Sequence, residues 1–454
     1  MAFLQKLNNI IWGVPTLILI LGIGIALTAV TRFAQFRFLP RAFGMFLRHK
    51  NDDDETNNGE SPIRALCTAL AATVGTGNLA GVAGAIAIGG PGAVFWIWAC
   101  GIFGMITKFA EAVLAVHYRV KGEKGEYLGG PMYVITLGMP KKYHSLAYIY
   151  CIFGIVAAFG VGNATQINTL IGGINSMCAY MGYACTDLMN LLMGIGMAIL
   201  VSILFLGGAK RVGAAAETLI PFASVLYVVM GIGVFICRFE AIPKAFEAIF
   251  AGAFSPNAVT GGMVGSAMIT LRIGASRGVF TNEAGMGTAG IAHAAAKVVH
   301  PVEQGFMGLI EVFVDTLIIC TITALVILCS GVPIPYGEDT GIILTLEAFS
   351  GVYGGWVTIL LTGTLCCFAF ATVLGWGLYG ARCAQFLFGE QTWSVFVIIQ
   401  AVAVVLGSIL DTGTIWLFAD TINGLMAIPN LLSLFYLLPK VRYIVKDFEK
   451  ERIT

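Results

Sequence analysis

Eleven apolar stretches constrain this chain more than any other feature, because each is long enough to cross a lipid bilayer. A spanning helix takes about 20 apolar residues, and such stretches occupy residues 10–32, 63–88, 92–119, 145–172, 188–206, 213–237, 261–296, 303–331, 356–382, 392–409 and 412–438. Hydrophobic residues make up 58% of the 454 and charged residues 11%, against about 45–50% and about 25% in soluble domains. The sequence therefore predicts an all-α integral membrane protein with eleven transmembrane helices (spans 1–11) and excludes a soluble globule.

Positive charge is distributed unequally between the two sides of the predicted bundle. Alternate loops, counted from the one after span 1, hold 20 of the 26 Lys and Arg residues, and the remaining loops hold three. Cytoplasmic loops retain Lys and Arg, so we expect a multi-pass protein of a prokaryotic cell membrane, with its amino terminus outside and its carboxyl terminus in the cytoplasm. Its partner surface is the lipid bilayer, and a net charge of +1 gives no signature of nucleic-acid binding.

The spans divide into one additional helix and two sets of five. An odd number of helices per set gives spans 2–6 and spans 7–11 opposite orientations. We expect the boundaries to be an amino-terminal helix with an acidic cytoplasmic loop (1–62), a first repeat (63–240), a second repeat (241–438) and a cytoplasmic tail (439–454). The loop segment NDDDETNNGESP (residues 51–62) is too poor in apolar residues to pack, which predicts a solvated linker, with partner binding as the alternative.

The first helix of each predicted repeat is interrupted by glycines. Span 2 contains GTGNLAGVAG (residues 75–84) and span 7 contains GASRGVFTNEAGMG (residues 274–287). A helix opens at mid-depth only where protein, ligand or water replaces its backbone hydrogen bonds, and paired interruptions in two inverted halves indicate the binding site of a transporter. The alternative is close packing, which explains Gly77-x-x-x-Gly81 but not a matching interruption in span 7.

An opened span 2 offers both kinds of backbone dipole. The N–H groups that begin its second half, around Gly77 and Asn78, suit a carboxylate. The carbonyls that end its first half, around Ala71, Thr73 and Val74, lose their partners and suit a hard cation such as sodium. One interruption can therefore hold an anion and a cation.

Four tracts of the sequence resemble one known family. GGPGAVFWIW (residues 89–98) resembles the signature of the sodium:alanine symporter family, and VGTGN (74–78), RGVFTNEAGMGTAG (277–290) and ATVLGW (371–376) resemble its other characteristic stretches. The resemblance covers essentially the whole chain. It implies a LeuT-like inverted repeat of five plus five helices with one additional amino-terminal helix, and a symporter, not an enzyme, that imports alanine or glycine with sodium.

The resemblance also implies a set of cation ligands. VGTGN resembles the glycine-flanked break of the neurotransmitter:sodium symporters, whose cation site pairs carbonyls of that break with an Ala-x-x-Thr on the third helix of the second repeat. In span 9 that pattern is Ala369 and Thr372. The implied sodium ligands are then Ala71, Val74, Ala369 and Thr372, with a proton left open as the coupling ion. The alternative for Thr372 is a hydroxyl bonded back to its own helix.

The amino acid is predicted to lie between spans 2, 4, 7 and 9. Its carboxylate is placed at residues 76–78 and its ammonium at opened carbonyls of residues 273–276. Gln166 binds either end of the ligand or joins helices, and the rings of Phe280 and Trp376 limit the substrate side chain or fill core space. The complete predicted site is Thr73, Gly75, Thr76, Gly77, Asn78, Gln166, Ile273, Gly274, Ser276, Phe280 and Trp376.

Several charged residues fall at membrane depth, where each costs about 2.5 to 3.5 kcal/mol. Lys108 and Glu111 are spaced i,i+3 in span 3, so we expect them to neutralise each other. Glu311 and Asp315 are spaced i,i+4 in span 8 and either carry a proton or form a solvated face toward a cavity.

Two other function classes remain open on the sequence alone. Gly274-Ala275-Ser276-Arg277-Gly278 matches the G-x-S-x-G pattern of serine hydrolases, with His293 further along. That pattern requires a strand-turn-helix context, which an apolar helix does not provide. The second alternative is a passive channel for small solutes. The oligomeric state is left open.

Overall fold

The structure is a computed structural model that describes residues 2–49, 59–123, 125–262, 266–338 and 340–451. The amino-terminal half contains one short antiparallel pair, β1 (Val120–Lys121) and β2 (Tyr127–Leu128), and the helices α1 Ala2–Ile11, α2 Val14–Val30, α3 Ala34–His49, α4 Pro62–Thr73, α5 Val82–Gly89, α6 Ala93–His117, α7 Pro131–Gly138, α8 Ser145–Ala157, α9 Thr165–Tyr180, α10 Asp187–Leu206 and α11 Ala209–Cys237. The carboxyl-terminal half contains α12 Ile242–Phe254, α13 Pro256–Thr260, α14 Ala267–Asn282, α15 Thr288–His293, α16 Pro301–Val312, α17 Thr321–Ser330, α18 Ile343–Tyr353, α19 Val357–Phe388, α20 Thr392–Gly407 and α21 Thr412–Glu451.

The all-helical membrane architecture is confirmed, but the count of eleven spans is not. Among the described residues, eight helical segments are long and apolar enough to cross a bilayer, and a bent pair, α4 with the helix from Gly77 to Gly89, makes a ninth. Spans 7 and 10 are shorter: α14 and α20 each have 16 residues. Most of the predicted acidic loop lies outside the described residues.

The helices at the edge of the bundle present apolar side chains outward. On α10, Leu192 and Ile203 are more than half exposed, and on α11 the same holds for Val229 and Ile236. In water such surfaces are costly, whereas in hydrocarbon they need no partner. These faces therefore suit direct contact with lipid.

In the described part of the chain, three spans contain a π-helical segment, in which the backbone makes a wider turn. These segments are Gly77–Gly81 in span 2, Ala158–Ala164 in span 4 and Phe313–Cys320 in span 8. Such segments are rare and occur frequently at functional sites. The first and third pack against each other, and the second packs against α19 and α21. The first and third π-helical segments therefore lie side by side inside the bundle, and the second lies beside α19 and α21.

An amphipathic helix, α3, follows span 1 and was not predicted. Its Phe38 is buried among the rings of Phe109, Phe306 and Phe448, with centroid distances of 6.2, 5.3 and 6.4 Å. The segment lacks a continuous apolar run, so its sequence does not predict a spanning helix. Phe38 anchors α3 to α6, α16 and α21.

We expect Phe38→Ala to destabilise the protein by about 3 to 5 kcal/mol, the range for removing a buried phenylalanine ring. Thermal unfolding of the purified protein in detergent measures this as a lower midpoint. Phe36→Ala is the matched control, because Phe36 lies on the same helix and is 53% exposed. Equal midpoints for the two variants would contradict the anchoring role of Phe38.

Candidate functional site

The predicted opening of span 2 is confirmed. Helix α4 ends at Thr73, Val74 takes an extended conformation with φ −79° and ψ 96°, and the helix resumes at Gly77. The Gly75 N–H donates to Asn78 Oδ1 (2.8 Å) and the Thr76 N–H donates to Gln166 Oε1 (3.3 Å). Because these amides turn to side chains, they do not bond to the carbonyls that end α4. Every residue from 71 to 80 is buried, so the opening is closed to both faces.

Gln166 reaches the opened segment from α9. Its Oε1 also accepts a hydrogen bond from Thr76 Oγ1 (2.9 Å), and its Nε2 donates to the carbonyl of Val161 (3.1 Å) in the π-helical segment of span 4. The side chain thus bridges two irregular stretches of backbone. The sequence placed Gln166 opposite the break, and the structure brings it there; its part in binding a ligand remains a prediction.

Thr372 faces the same segment from α19. A Cβ placed on Gly75 would lie 2.4 Å from Thr372 Oγ1, so only glycine allows the hydroxyl to come this close. That hydroxyl is buried and has no hydrogen-bond partner among the described residues, so it is not bonded back to its own helix. Ala369 lies one turn earlier on α19, and Ala71 and Val74 are likewise fully buried. Together they offer only neutral oxygens, which fits a hard monovalent cation.

The predicted opening of carbonyls at residues 273–276 of span 7 is wrong. Helix α14 continues through Ile273, Gly274 and Ser276 to Asn282, so their carbonyls are engaged within the helix. Gly274 instead allows close packing, since a Cβ there would lie 2.4 Å from the Ala93 carbonyl oxygen of α6. The ammonium of a substrate therefore has no opened carbonyls at this position.

Span 7 opens after Asn282, within the stretch 274–287 that the glycines predict to be interrupted. Glu283 adopts the left-handed conformation at φ 54°, and Gly285 and Gly287 have φ of 95° and 76°, a region that favours glycine. Glu111 Oε1 accepts hydrogen bonds from the N–H groups of Gly285 (2.9 Å) and Gly287 (3.0 Å), and from Asn430 Nδ2 (2.7 Å). A carboxylate of the protein itself thus occupies the second opening.

A chain of hydrogen bonds joins the two openings through span 8. Asn78 Nδ2 donates to Asp315 Oδ1 (2.6 Å), Thr316 Oγ1 donates to Asp315 Oδ2 (2.8 Å), and Asn282 Nδ2 donates to Thr316 Oγ1 (3.1 Å). Asn282 Oδ1 then accepts from the Ala284 N–H (2.9 Å) in the second opening. The side-chain amide of Asn78 is thus fully engaged within the protein. Of the backbone N–H groups predicted to bind the substrate carboxylate, that of Thr76 donates to Gln166 Oε1 (3.3 Å) and that of Asn78 donates to the Gly75 carbonyl (3.3 Å), so both would have to exchange partners.

Two aromatic residues predicted to limit the substrate are buried in this region. The ring of Phe280 lies against Gly77, where an added Cβ would be 3.1 Å from Phe280 Cδ1, and it packs against Trp416 with centroids 5.0 Å apart. Trp376 lies one turn after Thr372 on α19 and contacts Gly162 of the π-helical segment.

Thr73, another residue of the predicted substrate site, donates its hydroxyl hydrogen bond to the Ala69 carbonyl of its own helix (3.2 Å).

The buried charges pair differently from the prediction. Lys108 Nζ lies 3.1 Å from Glu311 Oε1 rather than pairing with Glu111, and His293 Nε2 lies 2.9 Å from Glu311 Oε2. Gln304 Nε2 is 2.7 Å from the other ring nitrogen of His293. The i,i+3 spacing is therefore overridden by an interhelical contact between α6 and α16 that sequence spacing cannot reveal.

An ion pair ties α14 to α21 one turn before Phe280. The Arg277 guanidinium lies 3.5 Å from Asp420 Oδ2 and 4.9 Å from the ring centroid of Trp416. The sequence did not point to Asp420 or Trp416.

The sequence did not predict the π-helical segments either. Two of them contain the same dipeptide, Gly77-Asn78 and Gly162-Asn163. In the second, Asn163 Nδ2 donates to the Ala158 carbonyl (2.5 Å).

Comparison with solved structures defines the class of fold. The structure of MhsT in complex with L-phenylalanine matches this chain with a TM-score of 0.59, covering 86% of this chain and 99% of that one at 14% sequence identity. The LeuT-like fold expected from the sequence is thereby confirmed.

Sequence comparison identifies the family. The model described as "Sodium:alanine symporter family" matches residues 1–454. The sodium/alanine symporter AgcS of Methanococcus maripaludis is 40% identical over 461 residues, covering 99% of this chain and 98% of that protein. An uncharacterized transporter of Haemophilus influenzae is 40% identical over 458 residues, covering 98% and 96%.

The chain therefore belongs to the sodium:alanine symporter family, whose members are sodium-coupled amino-acid transporters. It is a multi-pass membrane protein and not an enzyme. The G-x-S-x-G pattern at residues 274–278 lies inside the continuous helix α14, which lacks the sharp turn that a nucleophilic serine needs.

Gly75→Ala is expected to weaken the sodium-dependent stabilisation of the purified protein, because its Cβ would displace Thr372 Oγ1, a predicted sodium ligand. Loss of one charge-assisted contact costs about 1.5 to 3 kcal/mol, which corresponds to roughly ten- to a hundredfold weaker sodium binding. Thermal melting in sodium chloride and in choline chloride measures the effect. Gly81→Ala is the control, since the nearest atom to its Cβ would be 4.0 Å away; similar sodium dependence in both variants would contradict the assignment.

Proposed function

We propose that this protein imports a small neutral amino acid, alanine or glycine, together with sodium across the cell membrane. The observation that carries the proposal is the buried Thr372 hydroxyl, which lacks a hydrogen-bond partner in the described part of the chain and faces the opened end of α4. An orphaned buried hydroxyl is costly, and a cation at this point would satisfy it. The alanine symporter name of a relative with 40% identity supports the substrate.

Sodium would bind between α4 and α19. The ligands implied by family resemblance are the carbonyl oxygens of Ala71, Val74 and Ala369 and the hydroxyl of Thr372. Ala71 and Val74 lie at the opened end of α4, whereas Ala369 lies inside the continuous helix α19, so its carbonyl would contact sodium in addition to its helical hydrogen bond. The contact between these helices is close, since a Cβ on Gly375 would lie 2.8 Å from the Ala72 nitrogen. Neutral oxygens on two helices bind a monovalent cation without leaving a net negative charge when it departs, which suits repeated loading and release.

The amino acid would bind on the other side of the same opening. Its carboxylate meets the backbone N–H groups of residues 76–78, where the dipole of the second half-helix favours an anion. Gln166 Oε1, which accepts from both Thr76 donors, is placed to accept from the ammonium instead. This assignment replaces the carbonyls of residues 273–276, which are engaged in α14.

The proposed selectivity for small side chains rests on aromatic residues. Phe280 packs against Gly77 and Trp416, and Trp376 is 1% exposed beside Gly162. Rings that already contact glycines leave little volume for the substrate side chain. A hydrogen or a methyl group fits this arrangement better than a branched or aromatic group.

Binding both ligands at one opening makes their affinities depend on each other, and this linkage is the proposed coupling. Residues 71–80 are closed to both faces, so release requires the helices to move. Alternating access by rocking one bundle against the other about a fixed midplane site accounts for this. An inward sodium gradient then drives import, because sodium and the amino acid cross the membrane together.

Uptake by reconstituted vesicles tests the function. Labelled alanine is expected to accumulate above its external concentration only under an inward sodium gradient, because coupling transfers the free energy of the gradient to the substrate. Replacing sodium with choline, or dissipating the gradient with an ionophore, provides the controls. Equilibration of alanine without sodium would indicate a passive channel instead.

Thr372→Val is expected to raise the sodium concentration for half-maximal alanine binding by roughly tenfold or more, since it removes one cation ligand at almost constant volume. Thr364→Val is the matched control: Thr364 is equally buried on α19, but its hydroxyl bonds back to the Leu360 carbonyl (3.0 Å). Alanine binding measured across a sodium titration compares the two. An unchanged sodium requirement in Thr372→Val would remove the cation assignment.

A further inference from the structure

Two cysteines meet in the turn that connects α9 to α10. Cys178 lies in the last turn of α9, and Cys185 lies in the connection that leads to the start of α10 at Asp187. The thiols of the two residues are hydrogen-bonded to each other. Both residues are partly exposed, so a thiol reagent dissolved in water can reach them.

The backbone of this turn brings the two cysteines together. The Tyr183 N–H donates to the Cys178 carbonyl (2.9 Å), and Gly182 has φ 84°. A glycine in the left-handed conformation with such a hydrogen bond is a common way to end a helix, and it reverses the chain. The turn therefore returns Cys185 to the last turn of α9, and the contact between the sulfur atoms follows from the helix end itself.

The charge distribution predicts that this turn faces the outside of the cell. Residues 172–209 contain no Lys or Arg, whereas Lys210 and Arg211 follow at the other end of α10, and cytoplasmic loops retain such residues. Tyr180 and Tyr183 are both more than half exposed beside the cysteines, and tyrosine is enriched at membrane–water interfaces. The two thiols are thus predicted to lie at the interface on the side of the membrane where disulfides persist.

A second pair of thiols provides a comparison within the same protein. Cys151 of α8 and Cys383 of α19 are also hydrogen-bonded to each other, but both are fully buried between predicted spans 4 and 9. A water-soluble oxidant does not reach a thiol in that position. Contact between sulfur atoms is therefore common to the two pairs, and access from water distinguishes them.

We infer that Cys178 and Cys185 form a disulfide bond, a covalent modification of the outer turn between α9 and α10. The oxidant is a disulfide donor, either a disulfide-bonded oxidoreductase or a small-molecule disulfide. One cysteine thiolate attacks a sulfur of the donor to form a mixed disulfide, and the second thiolate then displaces the donor. One S–S bond breaks and one forms, and the donor leaves as two thiols that take up the two electrons and the two protons.

The bond closes the loop from Cys178 to Cys185 and ties the end of α9 to the start of α10. A cross-link of this kind restricts the unfolded chain more than the folded one. The oxidised protein is therefore expected to unfold at a higher temperature than the reduced protein. The same bond limits the separation of α10 from α9, the helix that carries Gln166.

The test counts protected thiols in the full-length protein, produced in bacterial cells with an oxidising extracytoplasmic compartment. Free thiols are blocked with N-ethylmaleimide in the cells and again after denaturation, and the protein is then reduced and labelled with a maleimide–polyethylene glycol that retards it on a gel. The wild type is expected to take up two labels at its 11 cysteines. Cys178→Ser and Cys185→Ser are each expected to take up none, because either substitution frees the remaining thiol for blocking.

Cys237→Ser is the matched control, because Cys237 is exposed at the end of α11 on the same predicted side. It is expected to take up two labels, as is Cys151→Ser, which removes the buried pair. Thermal unfolding is the second measurement: a reductant is expected to lower the midpoint of the wild type by a few degrees and to leave that of Cys178→Ser unchanged.

A digest of the unreduced wild type identifies the linkage without any substitution. Chymotrypsin cleaves after Tyr180 and Tyr183, so the peptides that carry Cys178 and Cys185 stay together only if a disulfide joins them. Mass spectrometry is expected to find the joined peptides and to lose them after reduction.

A wild type that takes up no label would overturn the inference, as would labels that persist in Cys178→Ser or in Cys185→Ser. Separate peptides in the unreduced digest would overturn it too. None of these measurements involves sodium or an amino acid, so the inference and the proposed transport function stand or fail independently.

Discussion

Every backbone N–H and C=O inside hydrocarbon needs a hydrogen-bond partner, and this requirement organises the centre of the protein. Where α4 ends, the side-chain oxygens of Asn78 and Gln166 accept hydrogen bonds from the backbone N–H groups of residues 75 and 76. Where α14 ends, the carboxylate of Glu111 accepts hydrogen bonds from the backbone N–H groups of Gly285 and Gly287. The helices that surround the openings are therefore held in register by the side chains that substitute for lost helical bonds. The LeuT-like arrangement therefore relies on these hydrogen bonds as well as on apolar packing.

The two openings differ in what satisfies them. The first is held by neutral amides, and a nearby hydroxyl, Thr372 Oγ1, has no partner within the described residues. Neutral hydrogen bonds contribute about 0.5 to 1.5 kcal/mol each, so a charged ligand can replace them at little net cost. The second is held by a carboxylate that accepts three hydrogen bonds, each of the stronger charge-assisted kind. Ligand exchange is thus favoured at the first opening and disfavoured at the second.

Much of this arrangement was accessible from the sequence, for physical reasons that also explain the errors. Two glycines flanking Thr76 predicted the first opening because glycine permits the non-helical backbone that an interruption needs, and a family resemblance led to Thr372. The second opening was misplaced because Gly274 permits close packing with α6, and a glycine used for packing looks the same in sequence as one used for unwinding. The contact between Glu111 and Asn430 does not follow from local patterns either, since it joins residues that are 319 positions apart. Helix α3 was missed because amphipathic segments lack a continuous apolar run.

The hydrogen bonds of Glu111 to Gly285 and Gly287 have a consequence for the motion of the two predicted repeats. Glu111 fastens α6 to the second opening by two hydrogen bonds and to Asn430 of α21 by a third, so we expect these three elements to move together. Under the proposed mechanism the two predicted repeats would therefore behave unequally. The first opening would exchange its ligands, whereas the second holds a carboxylate of the protein itself where a ligand could otherwise bind.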